Sequence, residues 1–297
     1  MSAACVWRDA MGRAVRIPEE GQRLVALVPS LTEVLFDYGF GTEVVGITDY
    51  CTEPASAVRD KPRIGGTKNP DLEAILALRP TLIFAVAEEN RRQDIVLLEQ
   101  AGAAVYVFNP VTVRDGIDLL WRMAEILDCQ ARVEDQLHAI EGSYVETQAR
   151  VSGCKPVRVF CPIWKAPYMT MNAGTYIHDM LRVCGGANIF AERQRRYPLA
   201  ADLGKQPERM KAQDADRDRR YPRVTLEEMA VLRPDVILLP DEPYEFGPDD
   251  LADFAPFKDV PAVRHGRVHL IDGKLLSWYG LRLGSSLSAV RHLLWPH

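Results

Sequence analysis

LEAILALRPTLI at residues 72–83 and LEEMAVLRPDVI at residues 226–237 read as one structural unit written twice. Leu72, Glu73, Leu78, Arg79 and Pro80 stand opposite Leu226, Glu227, Leu232, Arg233 and Pro234, each pair 154 positions apart. In both copies apolar residues fall at helical spacing, the helix closes before a proline, and a buried strand follows. Two copies half a chain apart are too few for a solenoid. They predict two similar α/β lobes.

The surrounding pattern agrees. Continuous apolar runs RLVALV (23–28), EVVGIT (43–48), TLIFAV (81–86) and AVYVFN (104–109) predict strands, separated by helices over 30–40, 71–78, 91–101 and 113–127. Short apolar strands alternating with helices indicate a parallel sheet covered on both faces. A second such series follows: strands at 157–163, 235–240 and 267–272, with helices at 175–184, 225–232 and 284–294. Between the two, Val133, Leu137, Ile140, Tyr144 and Gln148 form a helical stripe over 130–150, apolar except at its last position. About 20 helical residues span about 30 Å, enough to join two lobes and to limit hinge motion between them. The expected organisation is an N-terminal Rossmann-like lobe over 22–128, a single long joining helix over 129–153, and a C-terminal Rossmann-like lobe over 154–297. Residues 193–223 hold ten Lys or Arg against five acidic residues, with prolines at 198, 207 and 222, and predict an exposed basic loop insertion.

Composition narrows the function. The 297 residues are 47% hydrophobic and 26% charged, ordinary for a globular protein, and a net charge of −5 argues against nucleic acid as the main partner. No apolar run is long enough to span a bilayer. Nothing before residue 22 resembles an export signal, so the sequence as given predicts a cytoplasmic protein, or a periplasmic one if the true start lies upstream. The six cysteines show no paired spacing and predict mostly small core residues, and the six histidines are equally dispersed, so no metal site is expected. The motifs of nucleophile elbows, phosphate-binding loops and zinc proteases are absent, and no catalytic residue is nominated.

Aromatic residues do gather where strands should end: Tyr50, Trp164, Tyr168, Tyr244, Phe246, Trp278 and Tyr279, with Lys68, Lys165 and Arg282 nearby. Ligands of open α/β sheets bind beyond the carboxyl ends of the strands. Aromatic faces with a few polar anchors suit a large, partly apolar ligand.

VALVPSLTEVLFDYGFGTEVVGITDY, GGTKNPDLEAILALRPTLIF, MLRVCGGANIF and VTLEEMAVLRPDVILL together resemble the helical-backbone metal-chelate receptors, the substrate-binding proteins of ABC importers. The resemblance covers residues 22–294 and is nearest to the cobalamin-binding branch. It implies non-enzymatic capture of a corrinoid, or of haem or a ferric siderophore, in a cleft between the lobes, followed by delivery to a dimeric ABC permease. It implies a monomeric receptor without covalent cofactor. Glu73 and Glu227 fall on the positions that dock permease arginines, and Tyr50 and Trp278 on ligand-lining aromatic positions. The sequence departs from the branch at GGTKN, where Thr67 or Lys68 stands in the region of a tryptophan. It departs again at SWYGLRLG, where Ser277 and Arg282 stand for an Asp and an Arg. The alternatives from other classes are a cytoplasmic chelate sensor and a chelatase-like enzyme, the latter requiring paired ligands for the metal.

Overall fold

The structure, a computed structural model, describes residues 4–18, 22–209 and 217–296. Ala4–Arg8 (β1) and Ala14–Pro18 (β2) pair antiparallel, with Trp7 opposite Val15. The turn between them is built on Asp9, whose carboxylate accepts from the backbone N–H groups of Met11 and Arg13 at 3.0 and 2.9 Å. Gly12 sits at φ 77°, where a side chain would be strained.

Next come Leu24–Ala26 (β3), Pro29–Asp37 (α1), Val44–Ile47 (β4), Leu72–Ala77 (α2), Leu82–Val86 (β5), Arg92–Gln100 (α3), Val105–Phe108 (β6) and Val113–Ile126 (α4). The four strands β3 to β6 make one parallel sheet in the order β4-β3-β5-β6. Val25, Ile83, Ala85, Val105 and Val107 share a core with Ile75 of α2 and with Ile95 and Leu98 of α3. Their neighbours Leu24, Ala26, Leu82, Phe84 and Val86 are buried too. Since successive strand residues point to opposite faces, both faces of the sheet are covered. Tyr38, just past α1, is buried, and its hydroxyl donates to the Leu120 carbonyl of α4 at 2.9 Å. The hairpin β1–β2 is joined to the edge strand: Ala10 N–H donates to the Val107 carbonyl at 2.9 Å, and Tyr106 hydroxyl to the Arg8 carbonyl at 3.1 Å. A covered edge is protected from pairing with another chain.

Gln130–Val151 (α5) is one continuous helix of 22 residues. Val133, Leu137 and Ile140 are buried as the stripe predicts, and the last buried position falls on Thr147, with Gln148 half-buried. After it come Val157–Phe160 (β7), Tyr176–Val183 (α6), Gly186–Asn188 (β8), Leu199–Asp202 (α7), Leu226–Leu232 (α8), Val236–Pro240 (β9), a 3-10 segment Pro248–Phe254, Pro261–Arg264 (α9), Val268–Ile271 (β10), Lys274–Ser277 (α10) and Leu283–Leu294 (α11). Strands β7 to β10 form the second parallel sheet, in the order β10-β9-β7-β8. The strand β8 lies in a Gly-Gly-containing stretch and is not among the strands the sequence predicts. A Cβ at Gly186 would lie 2.9 Å from the Leu181 carbonyl, so a residue usually poor in strands is what lets this one pack against α6.

By contacts the chain forms two compact units. The first holds the residues up to Pro110 with Arg114–Ala139 and Tyr279–Leu281; the second holds Val111–Val113, Ile140–Trp278 and the chain from Arg282. The boundary falls inside α5.

The repeat extends beyond its sequence. Asp71 caps α2 and Thr225 caps α8, each accepting from the backbone N–H three residues on. Arg79 and Arg233 follow in the left-handed conformation, at φ 48° and 46°. The Arg23 guanidinium donates to the Leu78 carbonyl at 2.7 Å, and Arg158 does the same to Leu232 at 2.6 Å. These bonds satisfy helix-end carbonyls that have no partner within the helix. Arg23 and Arg158 also give their backbone N–H to the side chains of Thr81 and Asp235, the paired residues one beyond the prolines.

The basic insertion differs from the expected solvated loop. In its described parts, 193–209 and 217–223, Tyr197, Ala201 and Asp202 are buried. Asp202 accepts from the backbone N–H of Arg196 at 2.9 Å and of Arg223 at 2.7 Å, and pairs with Arg193 at 3.3 Å. Arg195 and Arg217 both lie over the Tyr197 ring, at 4.7 and 5.0 Å. The arginines that look like a charged surface in sequence hold the segment together through one buried carboxylate and one ring. Residues 210–216 of the insertion lie outside the described residues.

Candidate functional site

In the first unit the loop leaving β4 carries Tyr50 and Lys68. Arg63 fastens its start, donating to the carbonyls of Thr48 and Cys51 at 2.8 and 3.0 Å. Asn90, buried after β5, fastens its end. Its amide donates to the carbonyls of Leu27 and Thr67 at 3.1 and 3.0 Å, and its oxygen accepts from Val86 N–H at 2.9 Å. One side chain thus ties the ends of β3 and β5 to the loop after β4. Tyr50 is 61% exposed, with its ring over Gly66, where a Cβ would come within 3.2 Å of it. Lys68 is exposed and donates to the Glu88 carbonyl.

In the second unit the loop after β7 presents Trp164, 44% exposed and edge-on to Tyr244 from the loop after β9, with centroids 5.8 Å apart. Tyr244 in turn meets Phe246 at 4.7 Å, and Phe246 stacks on Tyr168 at 6.3 Å. Four of the nominated aromatics therefore form one group. Within it Phe246 is only 4% exposed and belongs to the hydrophobic core, so it supports the others from beneath and is placed as packing.

Lys165 is placed differently from the anchor the sequence suggests. Its ammonium pairs with Asp250 at 2.6 Å and Asp253 at 2.7 Å, and Tyr168 hydroxyl donates to Asp253 at 2.6 Å. These hydrogen bonds push Lys165 up from the usual lysine range and, with Lys165 as the main cause, hold both carboxyls below theirs. The cluster locks the 3-10 segment onto the aromatic loop.

The loop after β10 carries Trp278 and Arg282. Trp278 is 7% exposed, with the Lys274 ammonium 5.5 Å and the Arg282 guanidinium 5.3 Å from its ring centroid. Tyr279 is buried as well. Beside Trp278 lies a group the sequence reading passed over, Glu242, in the PDEPYEF stretch after β9. Ser277 hydroxyl donates to it at 2.9 Å. Burial pushes the Glu242 carboxyl up from its ordinary value, against the opposing pull of the Ser277 hydroxyl, the neighbouring Trp278 side chain and Lys274. A carboxylate at a strand's carboxyl end was the available signal for it.

Glu73 and Glu227 are both exposed on the first turns of α2 and α8. The cysteines divide into four buried and two exposed, Cys5 and Cys154. Among the described residues no group of three or more His, Cys, Asp or Glu converges to hold a metal ion, and no helix is long and apolar enough to cross a membrane.

Comparison with known proteins places this geometry. The vitamin B12-binding protein of Vibrio cholerae serotype O1 is 25% identical over 208 residues, 69% of this chain and 75% of its own. The crystal structure of the periplasmic vitamin B12 binding protein BtuF of Vibrio cholerae superposes with a TM-score of 0.72 at 21% identity, covering 92% of this chain and 96% of that one. The apo periplasmic heme-binding protein RhuT from Roseiflexus sp. RS-1 superposes with a TM-score of 0.71 at 21% identity, covering 93% and 98%. At such identities the structural likeness speaks for the fold. Residues 24–275 match the family described as periplasmic binding protein, and the chain belongs to that family.

Proposed function

We propose that this protein is a receptor that binds one metal chelate, a corrinoid foremost, without chemical change, and delivers it to the permease of an ABC importer. The observation that carries the reading is the set of aromatic side chains on loops at the carboxyl ends of parallel strands, in a chain whose relatives include vitamin B12-binding proteins. Tyr50 and Lys68 in the first unit, and Trp164 and Tyr244 in the second, supply the contacts; Tyr168 and Phe246 hold the latter pair in place. Arg282, lying over the ring of the buried Trp278, completes the set at the end of β10, while the more deeply buried Tyr279 serves as packing, like Phe246. A chelate brings its metal already coordinated, so the protein needs faces and hydrogen bonds and no metal ligands. Glu73 and Glu227, acidic and exposed on duplicated helices, fit docking to arginines of a partner.

The test is direct. Purified protein is titrated with cyanocobalamin, haemin and a ferric siderophore, followed by calorimetry and visible absorption. Saturable uptake of cyanocobalamin with unchanged ligand recovered afterwards is the expected result. Saturable binding of haemin alone replaces the ligand while keeping the receptor. Binding of none of the three, or a chemically altered chelate, sinks the proposal.

A further inference from the structure

The duplicated unit ends on an arginine that its own backbone does not favour. Arg79 and Arg233, each six residues beyond the exposed glutamates Glu73 and Glu227, stand in the left-handed conformation at φ 48° and 46°. A side chain is strained there, and glycine is the usual residue just past a helix end. Among the described residues four other than glycine take positive φ, and this pair makes up half of them. Both arginines are exposed, and among the described residues neither guanidinium has a hydrogen-bond, ion-pair or ring partner. The same holds for the carboxylates of Glu73 and Glu227. One helical turn from each glutamate, on the same helix face, lies a further exposed residue: Ala77 in α2 and Val231, 81% exposed, in α8.

Closing the helix does not account for these arginines. The end of each helix already has a cationic donor: Arg23 reaches the carbonyls of Leu78 at 2.7 Å and Arg79 at 3.3 Å, and Arg158 reaches that of Leu232 at 2.6 Å. A second cation there adds like charge to the one present, while a glycine would relieve the backbone. What glycine lacks is a positive charge held clear of the unit. The backbone N–H groups of Arg79 and Arg233 donate to the carbonyls of Leu76 and Met229 at 2.9 and 3.1 Å, so the backbone is tied down while each side chain projects unbonded. Six residues at about 1.5 Å each set glutamate and arginine roughly 9 Å apart along the helix axis.

We propose that Arg79 and Arg233 are the second half of a duplicated docking surface. Each unit offers a partner protein a carboxylate and, six residues on, a guanidinium; the partner is an ABC permease subunit that answers with an arginine and an acidic residue at matching separation. This deepens the receptor reading and rests on it for the partner. A lone carboxylate can be met by an arginine from any direction. A carboxylate and a guanidinium at fixed separation define a direction, because a partner approaching in reverse sets like charges together. Strained backbone persists where the surrounding structure holds it and the side chain has work to do, and here that work is outward. Two copies suit a partner that is itself a dimer.

The experiment uses the full chain and the host's ABC permease–ATPase complexes, purified in detergent and immobilised, with binding read at several salt concentrations. Arg79→Asn/Arg233→Asn removes both charges with a residue that tolerates the left-handed conformation. Its melting temperature should stay within about 3 °C of wild type. Its affinity for cyanocobalamin should stay within about two-fold, while its affinity for the permease should fall about ten-fold, with a shallower dependence on salt. Permease affinity within about two-fold of wild type overturns the proposal. So does a melting temperature lowered beyond about 3 °C, because the arginines then serve the fold as helix-end cations. Capture that needs Glu73 and Glu227 but is indifferent to the arginines sinks this inference alone. Wild-type protein that no permease captures sinks docking as a whole, and the chelate titration decides separately whether the protein is a receptor.

Discussion

Replacing Asn90 with alanine should cost about 2–4 kcal/mol of stability. The side chain is buried and makes three bonds, to Val86 N–H at 2.9 Å and to the carbonyls of Leu27 and Thr67 at 3.1 and 3.0 Å. A buried donor left without a partner costs about 1–3 kcal/mol, and each ordinary hydrogen bond lost about 0.5–1.5 kcal/mol. The lower total applies if water enters the gap. Urea unfolding at neutral pH reads the change as a lower midpoint at unchanged slope. Asn90→Asp separates hydrogen bonding from volume. Its carboxylate still accepts from Val86 N–H but sets negative charge against two carbonyl oxygens. The folded state therefore raises the pKa of the introduced carboxyl above its unfolded value. Stability of that variant should be best below the ordinary aspartate range, where the protonated acid donates to one carbonyl, and should fall as pH rises through the folded value. Because Thr67 precedes Lys68, chelate affinity should drop along with stability. An alanine variant within about 0.5 kcal/mol of wild type would refute the clamp, since that range is typical of changes that touch nothing.

Tyr50→Ala and Trp164→Ala should each weaken chelate binding by about 1–3 kcal/mol in calorimetry, the range for an aromatic contact at a binding surface; unchanged affinity in both would remove these loops from the site. The Lys165 cluster predicts an acid limb. Asp250 and Asp253 are held below the usual range in the folded state, so their contribution is present above the unfolded aspartate value and disappears as pH falls through the folded one. Melting temperatures of Asp250→Asn/Asp253→Asn should accordingly start lower at neutral pH and lose less than wild type as pH falls below the ordinary aspartate range. Glu73→Ala/Glu227→Ala should leave chelate affinity and melting temperature within error while abolishing capture by permease in detergent; full capture would dismiss the docking role.

Much of the fold was legible because burial on both faces leaves a plain trace. VVGI, LIFAV, VYVF and VILLP are continuous apolar runs, and each is a strand. The segments missed lack that trace. β8 consists of Gly, Ala and Asn, and is a strand only because α6 and β7 crowd its place. The hairpin β1–β2 has alternation in AVRIP and a turn in DAMG, signals of moderate strength read only for an export leader. The insertion at 193–223 misled because charge along a sequence says nothing of geometry: Asp202 and Tyr197 lie within a surplus of arginines and gather them. For the candidate site, residue type and position at strand ends singled out Trp164 and Tyr244 but could not tell an exposed face from a supporting one. That distinction, between Trp164 and Phe246, depends on packing. Lys165 and Glu242 depend on partners 85 and 35 residues away in sequence, Asp250 and Ser277.

The duplicated features and the candidate contacts occupy opposite ends of each sheet. Arg23 and Arg158, Leu78 and Leu232, Arg79 and Arg233, Thr81 and Asp235 all lie where strands begin, and their bonds correspond one for one. Where strands end, the two units share no such pairing. The first ties its loops with the amide of Asn90, and the second uses Lys165 with two carboxylates and Glu242 with a serine. The strand-entry end is constrained by the backbone itself: a helix must close, a proline must follow, and the last carbonyls need a donor, whatever the protein binds. The strand-exit end carries no such general requirement, so each unit can equip it separately. Glu73 and Glu227 follow the duplicated pattern rather than the divergent one, and that is where a pair of equivalent contacts to a symmetric partner would be expected.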